Sequence, residues 1–288
     1  MKNGAYALIP NWWNEDINCD LVLSDDIDGL VSTSILKKCK GWNVEYFYNF
    51  EHLYITDKAR NKSIEQRQND RCWCDISILL DEKCFDNHVN RRDVDDWENP
   101  LAINPNKIAH ITNNLYTGKY AGSTALMLWS IYKLPLPETE EGRMLLMSID
   151  SSFKGFYFDR YSDIWRANRY FISNLLNFPE LYELQKKHTL EDFYEVVRKY
   201  NVEPDTKEAK KTRWNNGKLE TNLDLKTISD LLGIEVSLPD NNFSELLELN
   251  TVNGYFGHMQ IQELPEQYLT AAYTYRGKIS ASYIRKIK

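Results

Sequence analysis

The chain has 288 residues, a formal net charge of −7 and 42% hydrophobic residues. An acidic surface repels a polyanion over most of its area. This excludes a general electrostatic grip on nucleic acid, and any phosphate ligand has to be held locally, by metal ions or a small basic patch. Apolar content of this size can bury one large core or two modest ones.

Taken in chain order, Asp20 to Ser24 reads as a short buried strand and Leu30 to Lys38 as a helix with apolar residues at helical spacing. Strands are predicted at Val44 to Tyr48 and Cys72 to Leu80, with a polar surface loop or helix over Asp57 to Asp70 between them. Tyr120 to Leu134 and Glu138 to Ile149 read as two helices separated by Leu134-Pro135-Leu136-Pro137, the second delivering Asp150 at its end. From Ser162 onward the texture becomes aromatic, charged and helical. It ends in a predicted β-hairpin, Tyr268 to Tyr275 and Ile279 to Ile284, around Arg276-Gly277-Lys278.

The pattern predicts an α/β fold in two units. Residues 1–160 would form a parallel-sheet domain with helices on both faces, and 161–288 a smaller α+β domain, helical and then a hairpin. No basic segment with an apolar continuation opens the chain and no run approaches membrane-spanning length, so a cytoplasmic protein without a membrane partner is expected. The five cysteines read as free thiols of a reducing compartment. Cys72, Cys74 and Cys84 cluster, but Cys-x-Cys spacing without a fourth ligand fits structural zinc poorly.

Asp26-Ile27-Asp28-Gly29 directly follows the first strand, where ligands of open α/β sheets gather. Carboxylates there suit hard divalent cations. A calcium loop of the EF-hand kind fails, because Ile35 stands where its last carboxylate is needed and no helix precedes it. A phosphotransferase with an aspartyl nucleophile lacks an obvious partner lysine. A plain acidic helix cap without metal remains open. Further acidic positions follow: Asp75 in an apolar setting where an unpaired carboxylate is unfavourable, Asp86-Asn87-His88, and Asp150.

In this order the pieces resemble the DHH phosphoesterase superfamily over roughly residues 18–158. Leu21 to Leu36 looks like its first motif, Asp75 its isolated second-motif aspartate, and Asp86-Asn87-His88 the segment in which the family carries Asp-His-His. Gly122-Ser123-Thr124-Ala125 followed by Leu145 to Asp150 looks like the approach to the fourth motif. The chain departs from the family in two places. Val22 and Ser24 stand where a metal-binding histidine usually precedes the first motif, and Asn87 replaces a histidine.

The resemblance implies one or two Mn²⁺ or Mg²⁺ ions held by Asp26, Asp28, Asp75, Asp86 and Asp150, with Asp75 bridging. Asn87 would ligate or orient an ion, and His88 would contact the scissile phosphate or support the site. The implied activity is hydrolysis of phosphodiester bonds in single-stranded nucleic acid, short oligonucleotides or a nucleotide signal. The alternatives are an exopolyphosphatase or pyrophosphatase, and a non-catalytic binding or assembly module that keeps the scaffold. Substrate contacts are expected from His258 in Asn253-Gly254-Tyr255-Phe256-Gly257-His258, from Arg276 and Lys278 at the hairpin tip, and from Ser123 near Lys119 at a helix start. The basic run Lys207, Lys210, Lys211, Arg213 with Trp214 could track a backbone and stack a base. Asn104-Pro105-Asn106 reads first as a turn.

Overall fold

The computed structural model describes residues 1–158, 162–202, 212–255 and 268–284. Its strands are β1 (Asp20–Ser24), β2 (Asn43–Tyr48), β3 (His52–Thr56), β4 (Arg71–Cys74), β5 (Lys83–Phe85), β6 (Ala102–Ile103), β7 (Arg213–Asn215), β8 (Lys218–Glu220), β9 (Phe243–Tyr255), β10 (Tyr268–Tyr275) and β11 (Lys278–Ile284). The α-helices are α1 (Ile27–Lys40), α2 (Asp57–Arg60), α3 (Ile64–Asp70), α4 (Pro105–Ile108), α5 (Thr124–Ile131), α6 (Glu140–Ser148), α7 (Lys154–Tyr157), α8 (Ser162–Arg169), α9 (Pro179–Lys187), α10 (Leu190–Tyr200) and α11 (Leu225–Leu232). Among the described residues no helix is long and apolar enough to cross a membrane.

β7 and β8 pair with each other, while the other nine strands form one sheet in the order β10-β11-β9-β3-β2-β1-β4-β5-β6. From β2 to β6 neighbouring strands are parallel. From β2 outward to β10 every pairing is antiparallel. The fold is therefore α/β with a mixed sheet, the predicted parallel strands making up one half of it. The change of direction begins at Asn49 to Glu51, a link between β2 and β3 too short for anything but an antiparallel return.

Strand alternation sends Leu21, Leu23, Phe47, Cys72 and Cys74 to one face and Val22, Tyr46, Tyr48, Trp73 and Cys84 to the other. Both faces are buried, so these strands read as continuous apolar runs. On the first face α1, α5, α6, α9 and α10 contribute Leu30, Leu128, Leu145, Leu181 and Phe193 to one core that reaches from Met1 to Phe243. That core spans the boundary expected between residues 160 and 161, and β9 to β11 from beyond it extend the sheet.

Helices on both faces were expected, but among the described residues the second face has one helical residue in its core, Ala59 of α2. The cover there comes from Leu249 of β9 and Leu269 of β10 as the sheet curls inward. The curl is fastened by three buried hydroxyls. Tyr48 Oη lies 2.9 Å from Thr270 Oγ1 and 2.5 Å from Ser282 Oγ, which are 2.8 Å from each other. All five cysteines are free, and Cys84 faces away from Cys72 and Cys74, which separates the three that clustered in sequence.

The predicted strand Cys72 to Leu80 stops at Cys74, because Asp75 turns the chain at φ +61°. The hairpin at the end of the chain forms as β10 and β11 with Gly277 at φ +76° in the turn.

A buried ion pair ties β4 to the turn before β5. Glu82 accepts Arg71 Nε–H at 2.9 Å and Trp73 Nε1–H at 2.7 Å and also pairs with Arg71 Nη2, with Arg71 and Glu82 side chains 12% and 6% exposed. Replacing Arg71 with Met strands the carboxylate, so urea denaturation is expected to show a loss of about 3–5 kcal/mol. Lys226→Met, which breaks the solvent-exposed pair with Asp230, is expected to leave the midpoint nearly unchanged.

Candidate functional site

β1, β4 and β5 are parallel neighbours, so their carboxyl ends share one edge of the sheet. Each is followed by acidic residues: Asp26 and Asp28 after β1, Asp75 after β4 and Asp86 after β5. Asp26 caps α1, its Oδ1 accepting Gly29 N–H at 3.0 Å and Ser24 Oγ–H at 3.3 Å. A Cβ at position 29 would lie 1.9 Å from Ser24 Oγ, so any larger residue there displaces the hydroxyl that donates to Asp26.

Asp28 turns inward and accepts the N–H groups of Thr124 and Ala125, both at 2.7 Å, capping α5 from the other side of the site. Ser32 Oγ adds a bond at 3.2 Å. Thr124 then passes the connection on, its hydroxyl donating to Asp75 Oδ1 at 3.0 Å.

Asp150 closes α6 in the left-handed region at φ +55°, followed by Ser151 at +62°. With Asp75 this makes three non-glycine residues in a sparsely populated conformation around one site, and such backbone persists where surrounding contacts over-determine it. Asn87 spans the gap, its amide donating to Asp150 Oδ2 and to the Gly122 carbonyl, both at 2.9 Å. His88 Nδ1 lies 2.6 Å from Asp86 Oδ1, and the imidazole keeps 36% of its surface exposed.

Asn104-Pro105-Asn106 does more than turn the chain. Asn104 Nδ2 donates to Asp86 Oδ2 at 3.2 Å and to the His88 carbonyl at 2.8 Å. Asn106 Nδ2 donates to the Asn87 carbonyl at 2.7 Å. The two asparagines hold the Asp86-Asn87-His88 segment in place.

Gathering buried carboxylates disfavours their charged forms. Burial pushes Asp75 well above the usual carboxylate range, with repulsion from Asp28, Asp26, Asp150 and Asp86 adding to it. Asp28 is pushed up to about 8 by burial and by Asp150 and Asp26, against the pull of its two helix N–H donors. Burial raises Asp150 to about 6, although His88 and Lys119 pull it down. Enclosure lowers the pKa of His88, but Asp86 more than offsets this and the imidazole ends above its ordinary value.

Among the described residues no three His, Cys, Asp or Glu side chains stand together as a ligand set for a metal ion. Both Asp28 oxygens are engaged by α5. The donor chemistry itself, carboxylates with one imidazole and one amide, fits Mg²⁺ or Mn²⁺. Of the positions where the family carries a histidine, Val22 lies in the core and Ser24 serves Asp26.

Other expected residues sit elsewhere. Ser123 is fully buried and its Oγ caps α5 by accepting Leu126 N–H at 3.0 Å, so it is not free to hold a phosphate. Arg276 is exposed at the hairpin tip beside Lys278, and Asn113 anchors that tip by accepting Gly277 N–H at 2.9 Å. Trp214 stacks on Tyr54 at 5.0 Å and donates to the Phe243 carbonyl, with part of its indole left exposed. His258, Lys207, Lys210 and Lys211 lie outside the described residues.

Gly122 and Thr124 were legible as part of a helix start and β10 as a hairpin strand, but not the Thr124 bond to Asp75, the Gly122 bond to Asn87, or the course of β10 along the site. Tyr273 N–H donates to the Val89 carbonyl at 2.8 Å and Ala271 N–H to that of Ser77 at 3.1 Å. A cavity of about 110 Å³ results, lined by Asp75, Ser77, His88, Thr270, Thr274 and Ser280 among others, with Ser77 Oγ buried and unpartnered. No periodicity in the sequence could have brought β10 there.

Comparison of the chain with protein-family models, with curated proteins and with solved structures gave no match.

Carboxylates whose pKa is raised on folding bind protons more tightly in the native state, so their contribution is full below about pH 4 and is lost as pH rises through the native values. For Asp150 and Asp28 that interval runs up to about 6 and about 8. Thermal melts of chelator-treated protein are therefore expected to fall in midpoint from pH 5 to pH 8.5. Asp150→Asn, an amide that tolerates the left-handed backbone, is expected to flatten the slope.

Proposed function

We propose that this protein is a divalent-metal-dependent phosphoesterase of the DHH type, hydrolysing phosphodiester bonds of single-stranded nucleic acid, short oligonucleotides or a nucleotide signal. The observation that carries the reading is the linkage of Asp28 to Asp75 through Thr124, and of Asp150 through Asn87 to Gly122 in the loop before α5, with all three carboxylates raised in pKa chiefly by burial. His88 and Lys119 offset only part of the burial and repulsion that raise these carboxylates, and a divalent cation would supply further positive charge.

Asp26, Asp28, Asp75, Asp86 and Asp150 are the residues that would hold one or two Mn²⁺ or Mg²⁺ ions. When bound, the metal supplies Lewis-acid activation of water and neutralises charge on phosphoryl oxygens. The chain's own groups do the remaining work. Asp86 fixes the His88 ring through Nδ1 and favours its protonated form, leaving Nε2 to donate to a phosphoryl or leaving-group oxygen. Asn87 orients Asp150, and Thr124 orients Asp75. The acidic surface suits short substrates better than long duplexes.

One observation favours a second reading, a non-catalytic binding module. Asp28 is engaged on both oxygens by α5 and no ligand set stands assembled among the described residues. The two readings part on metal: a native-state ligand raises the melting temperature, so stabilisation by Mn²⁺ is expected from the phosphoesterase and none from the module.

Activity is tested with a short 5′-labelled oligonucleotide and Mn²⁺. Release of mononucleotides is expected from the parent chain, and loss of it from Asp75→Asn, which preserves the left-handed turn. No turnover of any phosphodiester with Mn²⁺, Mg²⁺ or Co²⁺ would overturn the proposal.

A further inference from the structure

A cavity of about 460 Å³ opens beside the carboxylate cluster, lined by none of its carboxylates. It shares Gly122 with the site, since the Gly122 carbonyl takes the Asn87 amide and Gly122 also lines the cavity. Lys119 lines it too and acts electrostatically on both Asp150 and His88.

Its floor is aromatic and aliphatic: Tyr120 and Phe171 are buried with ring centroids 5.3 Å apart, and Ile172 adjoins them. Its rim carries rings that the fold leaves in solvent, Phe158 at 47% and Tyr275 at 60% exposure, with Tyr116 6.3 Å from Tyr275. Exposed rings around an apolar hollow gain from a flat apolar partner. Two ammonium groups flank it. Lys119 Nζ lies 4.7 Å from the Tyr116 ring and Lys154 Nζ 5.6 Å from the Tyr194 ring.

One further group points to a ligand. Ser152 Oγ is buried, belongs to a residue lining the cavity and has no hydrogen-bond partner among the described residues. A buried hydroxyl left unsatisfied calls for an explanation such as a bound molecule. Asn168, beside it, has its amide engaged by the Ser152 carbonyl and Gln185, so the hydroxyl is the group still free to bond.

Resting on the phosphoesterase reading, we infer that this cavity receives the nucleobase of the substrate nucleotide, with Phe158 and Tyr275 against the ring, Ser152 bonding a ring heteroatom and Lys119 meeting the phosphate at the catalytic edge. An inorganic polyphosphate has nothing to place on an aromatic floor. The inference therefore selects nucleotide-bearing substrates over inorganic ones.

The test is calorimetric titration of AMP, ribose 5-phosphate and pyrophosphate into the full chain with Mg²⁺ in the buffer. Stacking on an aromatic side chain contributes about tenfold or more in affinity. AMP is expected to bind at least about tenfold more tightly than ribose 5-phosphate. Phe158→Ala, a truncation at an exposed rim position whose folding circular dichroism can verify, is expected to remove most of that advantage. Equal binding of the three probes, no AMP binding, or AMP binding unaltered by Phe158→Ala overturns the inference. AMP binding without turnover of any phosphodiester upholds the cavity assignment and removes the phosphoesterase reading. Turnover without selective AMP binding does the reverse.

Discussion

Asp28 accepts two backbone N–H groups from the first turn of α5, and the rest of the site hangs on that junction. It is a carboxylate at the start of one helix capping the start of another, with both helix dipoles favouring negative charge at the same place. Thr124 extends the junction to Asp75, and the loop before α5 supplies Gly122 to Asn87 and so to Asp150. Without these N–H donors, Asp28, Asp75 and Asp150 would repel one another in a region nearly closed to water. With them the cluster is tolerated but still raised in pKa.

The same junction explains why the backbone bends where it does. Asp75 and Asp150 sit at positive φ, and aspartate is among the few residues that adopt it readily. Both use the bend to turn a carboxylate back toward Thr124 or Asn87 instead of continuing a strand or helix.

Much of the parallel half of the sheet was legible in the sequence because doubly buried strands and capped helices leave local signals. Leu21-Val22-Leu23 followed by Asp26 and Gly29, and the Pro135 and Pro137 break before α6, are examples. The antiparallel half was less so. β3 is a short strand after a turn marked only by Asn49 and Phe50, and β9 is largely exposed, its place fixed by pairing with β3 and β11 rather than by an apolar face. The curl that brings β10 over the site depends on hydroxyls of Tyr48, Thr270 and Ser282, more than two hundred residues apart at the extremes, and such contacts have no periodicity to read. Within the site, Asp26 and Asp28 stand out because they follow an apolar strand and Asp150 because it ends an apolar helix, whereas Asp75 was expected inside a strand and turns the chain instead. Thr124 could be read only as part of a helix start, since a threonine after a serine cap carries no local mark of the carboxylate it binds.

On the proposed function these carboxylates gather to hold a divalent cation. Anomalous diffraction from crystals grown with Mn²⁺, recorded above and below the manganese edge, shows whether they do. A manganese peak in contact with Asp75 and at least one of Asp26, Asp28 and Asp150 is expected. A well-ordered site with no anomalous peak, and with Asp28 still engaged by Thr124 and Ala125, would contradict it.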